Sequence, residues 1–179
     1  MNAALQNARD KARETLAKYP GAVSDGRIDV NYIAEMAGID VTSEYMQDQS
    51  ISGFLQKKTA DGRPIIVLNN TNSDVRQRFT IAHELGHYFL HSSQSTHVDD
   101  MYTAELVMYR NQESSQATHL REIEANQFAA ELLMPERMVL DNLQQLRSDS
   151  KGMSEIVGEL AAQYQVSETA MTIRLEKIA

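Results

Sequence analysis

The sequence predicts a single α+β domain, rich in helix, with a small antiparallel sheet and a C-terminal helical hairpin. Three observations carry that reading. Apolar residues recur at helical spacing over 2–18, 74–91 and 120–134. Between the first two segments, short apolar and β-branched runs alternate with turn residues. Near the C-terminus, two helical segments are joined by only three residues. At 179 residues the chain is long enough for one substantial core and too short for two comfortable domains.

In chain order, residues 2–18 form an amphipathic helix with Leu5, Ala8, Ala12 and Leu16 near helical spacing, stopped by Pro20-Gly21. After a turn at Ser24-Asp25-Gly26, Asp29 caps a short helix through Ile33, Ala34 and Met36 that ends at Gly38. Ile39 to Met46 and Ile51 to Lys57 read as strands, and the turn Ala60-Asp61-Gly62 leads into a third, Pro64-Ile65-Ile66-Val67-Leu68. The unbroken apolar run in the third strand predicts cover on both faces. Ile51 to Lys57 is the candidate sheet edge, where an extended peptide can add as a further strand; the alternative is that these strands only cover the helix.

Residues 74–91 carry the chemistry. Thr80-Ile81-Ala82-His83-Glu84-Leu85-Gly86-His87 places two imidazoles at i and i+4, so both project from one helical face and can ligate one ion. Glu84, about 100° round the helix from His83, is poorly placed to join them as a ligand and well placed to take a proton from a water beside the ion. It is the candidate general base. Asp74 and Gln77 resemble a capping box, and Val75, Phe79, Ala82, Gly86 and Phe89 define the expected buried stripe, with Arg76, His83 and His87 at its edge. Glycine is costly inside a helix, so Gly86 implies close approach by another backbone. His91 lacks the spacing of the longer three-histidine zinc motif and sits where a helix C-terminus favours positive charge, so a structural role is expected for it.

Two histidines need a third protein ligand if one coordination position is to stay open. The helix from Leu120 to Met134, ended by Pro135, offers Glu122 and Glu124. Glu122 shares a face with Ala125, Ala129 and Leu133, whereas Glu124 turns to the opposite side with Gln127 and Glu131, which reads as solvated. A carboxylate on an apolar face requires a partner or a metal, so Glu122 is the expected third ligand. The competing reading pairs it with Arg76 or Arg78. Asn126, one turn on, is placed to hydrogen-bond a ligand imidazole. Tyr88, Tyr102, Tyr109, Arg110 and His119 can each stabilise an oxyanion, and spacing does not choose among them.

Composition excludes other classes. Without cysteine there is no disulfide framework and no thiolate metal site, so a metal must be held by His and carboxylate. Such a set suits Zn²⁺ and also tolerates Mn²⁺. No apolar run reaches bilayer length and the first residues lack a secretory signal's apolar core, which points to the cytoplasm and away from membranes. A formal net charge of -8 argues against direct nucleic-acid binding. From Ser92 to Thr118 the chain is rich in Ser, Gln, Asp and Thr; periodicity does not decide the type of the apolar stretch at Met101 to Tyr109, and the tracts flanking it read as loops, either a lid over the cleft or merely mobile. The C-terminal segments Glu136 to Leu146, Glu155 to Tyr164 and Glu168 to Ile178, the last capped by Ser167, are helices. The final pair resembles a helix-turn-helix, but Arg174 and Lys177 are the only basic residues on its second helix, facing Glu168 and Glu176.

Three blocks together, Ser52-Gly53-Phe54-Leu55, Arg76 through His87 and Glu122 through Pro135, resemble the signatures of the ImmA/IrrE family of metallo-endopeptidases. The resemblance covers roughly residues 28–140. It implies a zincin-like, gluzincin-type peptidase domain with His83, His87 and Glu122 as ligands and Glu84 as base. It also implies a cytosolic regulator that cleaves a helix-turn-helix transcriptional repressor. The expected layout is therefore one metallopeptidase domain over 1–179, with N-terminal helices over 1–38, sheet and catalytic core over 39–140, and C-terminal helices over 141–179. Two other classes compete: a non-catalytic module that sequesters a repressor or other regulator, and a DNA-binding regulator using the C-terminal helices.

Overall fold

The computed structural model describes residues 3–24, 26–56, 62–91, 112–148 and 151–179. Helix α1 (Ala3–Lys18) buries Ala8, Ala12 and Thr15 and stops before a 3₁₀ turn at Pro20–Ala22. A two-residue hairpin absent from the sequence reading follows, β1 (Val23–Ser24) pairing with β2 (Arg27–Ile28). Asp29 caps α2 (Val30–Met36), its carboxylate accepting from the Tyr32 N–H at 3.0 Å. Gly38, at φ +76°, ends α2 in the left-handed conformation, where L side chains are strained; the Ile39 N–H then reaches back to the Ala34 carbonyl.

The sheet departs from expectation. Strands β3 (Asp40–Glu44), β4 (Gly53–Gln56) and β5 (Ile65–Asn69) lie in the order β3-β5-β4. β4 is antiparallel to β5, but β3 runs parallel to it, so the sheet is mixed rather than antiparallel. The cause is the apolar run: Ile66, Val67 and Leu68 are buried and take the centre, which forces β3 and β4 to opposite sides. The segment between β3 and β5, which includes β4, is long enough for a parallel crossover. β4 is then an edge strand, as its position in the sequence suggested.

Asn69, fully buried at the end of β5, organises the approach to the next helix. Its side-chain N–H donates to the Ile51 carbonyl at 3.0 Å, its backbone N–H to the Ser52 carbonyl at 2.9 Å, and its side-chain oxygen accepts from the Thr71 N–H. Helix α3 (Asp74–Leu90) is capped by Ser73, whose hydroxyl accepts from the Arg76 N–H, and not by the Asp74–Gln77 box; Gln77 donates instead to the Asn72 carbonyl. The expected stripe is also wider. Ala82 and Gly86 are buried, but Val75 is exposed, while Ile81, Glu84 and Leu85 join the interior. α3 is covered by the sheet and also by α4 (Gln112–Leu133), so one amphipathic stripe does not describe it.

Helix α4 packs against both α3 and α1, which overturns the expectation that its second face is solvated. Gln127 and Glu131 are buried there, and the Glu131 carboxylate, 1% exposed, accepts from Arg13 of α1 at 2.9 Å and pairs with Arg174. Helices α5 (Glu136–Ser148), α6 (Met153–Tyr164) and α7 (Glu168–Ile178) complete the chain. Arg174 of α7 is 2% exposed and donates to the Met134 carbonyl at 2.9 Å. One of the two basic residues of the helix-turn-helix resemblance is thus part of the core.

The close approach implied by Gly86 is present: a Cβ there would lie 3.0 Å from the Ala125 Cα and 3.1 Å from its carbonyl oxygen. Gly86→Val is therefore expected to cost about 1–3 kcal/mol, measured by urea unfolding, because backbone on the facing helix yields less readily than a side chain. An unchanged midpoint would contradict that packing.

Candidate metal centre

Two helices build the site. α3 supplies His83, Glu84 and His87, and α4 supplies Glu122 and Asn126. The Gly86–Ala125 contact sets the distance between them. His83 Nε2 and His87 Nε2 lie 3.0 Å apart, and each lies 3.2 Å from one oxygen of Glu122. Neither Arg76 nor Arg78 is the partner of Glu122: Arg76 donates to the Ser52 hydroxyl, and Arg78 lines a separate cavity with Arg27 and Asp29.

The donor chemistry fits a cation. An amide oxygen only accepts, so His83 Nδ1, 3.0 Å from Asn126 Oδ1, carries the proton and leaves Nε2 with a bare lone pair. Glu122 Oε1 is buried without a hydrogen-bond partner. Lone pairs this close repel unless a positive charge sits among them. A tetrahedral ion with bonds of about 2.0–2.1 Å separates its donors by roughly 3.3 Å, close to the spacing found here. Among the described residues, His83, His87 and Glu122 are the group of His and carboxylate side chains able to converge in this way.

The electrostatics of these side chains agree. Burial pushes the Glu122 carboxyl up, but the two imidazoles outweigh it and hold it down at about 2. Burial disfavours charge on His83, yet Glu122, Glu84 and Asn126 together raise it. His87 is lowered by burial and by its histidine neighbours. Glu84, 6% exposed, is raised by burial to about 7, helped by Glu122 and opposed by His83 and by a hydrogen bond from the Leu55 backbone N–H.

Because the folded value of Glu84 lies above its ordinary 4.5, its contribution to stability is full below 4.5 and is lost as pH rises through about 7. Metal-stripped protein should therefore lose up to about 3 kcal/mol relative to Glu84→Gln between pH 5 and 8, read as the difference in urea unfolding free energy. Glu122 has the opposite sign and acts below that window, where stability falls as pH drops from 4.5 toward 2. A difference between the two proteins that does not vary with pH would contradict the burial of Glu84.

The site opens into a cleft of about 370 Å³ lined by Ser52, Gly53, Arg76, Phe79, Thr80, His83, Glu84, Glu122 and Asn126. The edge strand β4 forms one wall, pressed so tightly onto α3 that a Cβ on Gly53 would lie 2.7 Å from Thr80 Cγ2. One expectation fails beside this cleft. Glu124 is not solvated: its side chain is 17% exposed and its carboxylate lies 3.0 Å from His91 Nε2. His91, the C-cap of α3, also reaches His87, Nδ1 to Nδ1 at 3.2 Å. The continued four-residue spacing of His83, His87 and His91 was the available signal. Ser52 and Leu55 enter the sequence analysis only within a family resemblance and receive no role there, because backbone donors and loop residues have no periodic signature. Of the residues considered for an oxyanion, Tyr88 packs against the core and His119 is exposed, while Tyr102, Tyr109 and Arg110 lie outside the described residues, as does most of the 92–118 segment.

The His83–His87 helix and a glutamate from a second helix meet in an open cleft beside a sheet edge, a donor set able to hold a metal ion. The chain belongs to the IrrE N-terminal-like domain family of peptidases, whose model matches residues 34–176. It is 27% identical over 158 residues to the radiation response metalloprotease IrrE of Deinococcus radiodurans, an alignment covering 86% of this chain and 42% of that protein. The chain thus spans less than half the length of that relative. No helix among the described residues is long and apolar enough to cross a membrane.

Proposed function

We infer that the protein is a zinc-dependent endopeptidase acting in the cytoplasm on a protein substrate, a helix-turn-helix transcriptional repressor being the expected class. The observation that carries the reading is the meeting of three metal-type donor atoms beside a buried carboxyl in a cleft walled by an edge strand. The repressor class rests on the resemblance of the three sequence blocks to the ImmA/IrrE signatures.

His83, His87 and Glu122 would hold Zn²⁺, with Mn²⁺ an alternative for the same donors. When bound, the ion supplies Lewis-acid polarisation of a carbonyl and of water. The chain does the rest. Glu84, held by the Leu55 N–H, accepts the proton of the attacking water and passes it to the leaving amine. Asn126 fixes the His83 ring. The Ser52 carbonyl pairs inward with Asn69, so by strand alternation Gly53 and Leu55 turn their backbone groups outward. Leu55 N–H serves Glu84, which leaves the Gly53 end of β4 to align an extended substrate.

Two measurements test this. Protein purified without added ions should contain close to one equivalent of zinc by elemental analysis. Mass spectrometry of a helix-turn-helix repressor incubated with the zinc-loaded protein should show defined new termini that vanish when the metal is stripped. Repressor bound but uncut by the loaded protein would leave only the sequestering role.

A further inference from the structure

We propose that His91 and Glu124 are positioning residues for the metal centre, forming with His87 a carboxylate–imidazole–imidazole chain that fixes the His87 ring as a metal ligand. The proposal rests on the metal-centre reading above. It starts from two distances: Glu124 Oε2 to His91 Nε2 at 3.0 Å, and His91 Nδ1 to His87 Nδ1 at 3.2 Å.

Proton bookkeeping along the chain has one solution that leaves His87 able to bind a cation. Ligation through Nε2 requires the His87 proton on Nδ1, so Nδ1 donates and His91 Nδ1 accepts. His91 then carries its proton on Nε2, where the Glu124 carboxylate oxygen accepts it. The carboxylate thus pulls on His91, which becomes a better acceptor for His87, whose Nε2 becomes a better donor to a cation. His83 is held differently, by the neutral oxygen of Asn126. The two imidazoles are therefore unequal, with the anionic support behind His87 alone.

The surroundings suit this role. The side chains of His87, His91 and Glu124 are 8%, 12% and 17% exposed, so water competes weakly for these hydrogen bonds and their orientation persists. The chain also ties the last turn of α3 to α4 on the side of His87 remote from Glu122, so the ligand is braced from both directions.

The test is zinc affinity by chelator competition on the full chain, with no substrate present. Glu124→Ala and His91→Ala should each weaken zinc binding about 10- to 100-fold. Glu124→Gln, which keeps an acceptor without the charge, should fall between Glu124→Ala and the unaltered protein. Because Glu124 acts through His91, the double variant should be no weaker than His91→Ala alone. Circular dichroism of the metal-free variants checks folding, and the visible bands of the cobalt(II)-loaded forms should shift, which loss of stability alone does not cause. Affinity within twofold of the unaltered protein in Glu124→Ala, or additive losses in the double variant, would overturn the proposal. If the unaltered protein binds no zinc, the peptidase reading itself fails, so the two failures are distinct.

Discussion

Replacing Glu84 with Gln is expected to lower peptide cleavage roughly 10²- to 10⁴-fold while leaving zinc affinity within a few-fold of the unaltered protein. The change is nearly isosteric and keeps an acceptor for the Leu55 N–H, so the cleft wall and the three ligands stay in place. What is lost is the proton-accepting oxygen. His83, His87 and Glu122 remain, as does the Gly53 edge, so the variant should still bind its protein substrate. This separates hydrolysis from sequestration. Full biological activity of Glu84→Gln would mean that the cleft recognises a regulator without cutting it.

The largest expected effect on stability lies far from the cleft. Glu131→Ala should cost about 3–5 kcal/mol in urea unfolding, because it strips the partner from Arg174, a guanidinium 2% exposed, between α4 and α7. Arg174 would retain the Met134 carbonyl, but a hydrogen bond to a neutral oxygen does not offset a buried charge. Arg13, the other partner of Glu131, is nearly half exposed and can turn to Glu136 or to water. The distinguishing measurement is the double variant Glu131→Leu with Arg174→Met, which removes both buried charges and should recover most of the loss. If the double variant is as unstable as Glu131→Ala, the cost comes from packing and not from the uncompensated ion.

What was legible beforehand was whatever lies within a few residues of itself. The His83–His87 pair is one helical turn long, so its common face follows from backbone geometry once α3 forms. Asp29 and Ser167 cap their helices through hydrogen bonds spanning three residues. Even Glu122 was reachable, since a carboxylate among Ala125 and Ala129 contradicts its own face. A helix face turned away from one packed neighbour is not thereby turned to water. α4 has cover on two sides, so Glu131 and Gln127 are buried, and Glu124 meets His91 instead of solvent.

The sequence alone therefore determined the helix that carries the candidate site, the donor types on it, and the glycine through which a second helix comes near. Each of these is local, set by spacing and by side-chain size. Only the tertiary structure decided that β3 runs parallel to β5, that Arg174 is interior, and that His91 and Glu124 stand behind His87. Those outcomes depend on which element covers which, a matter of how several apolar surfaces share one core, and no single segment's pattern encodes it.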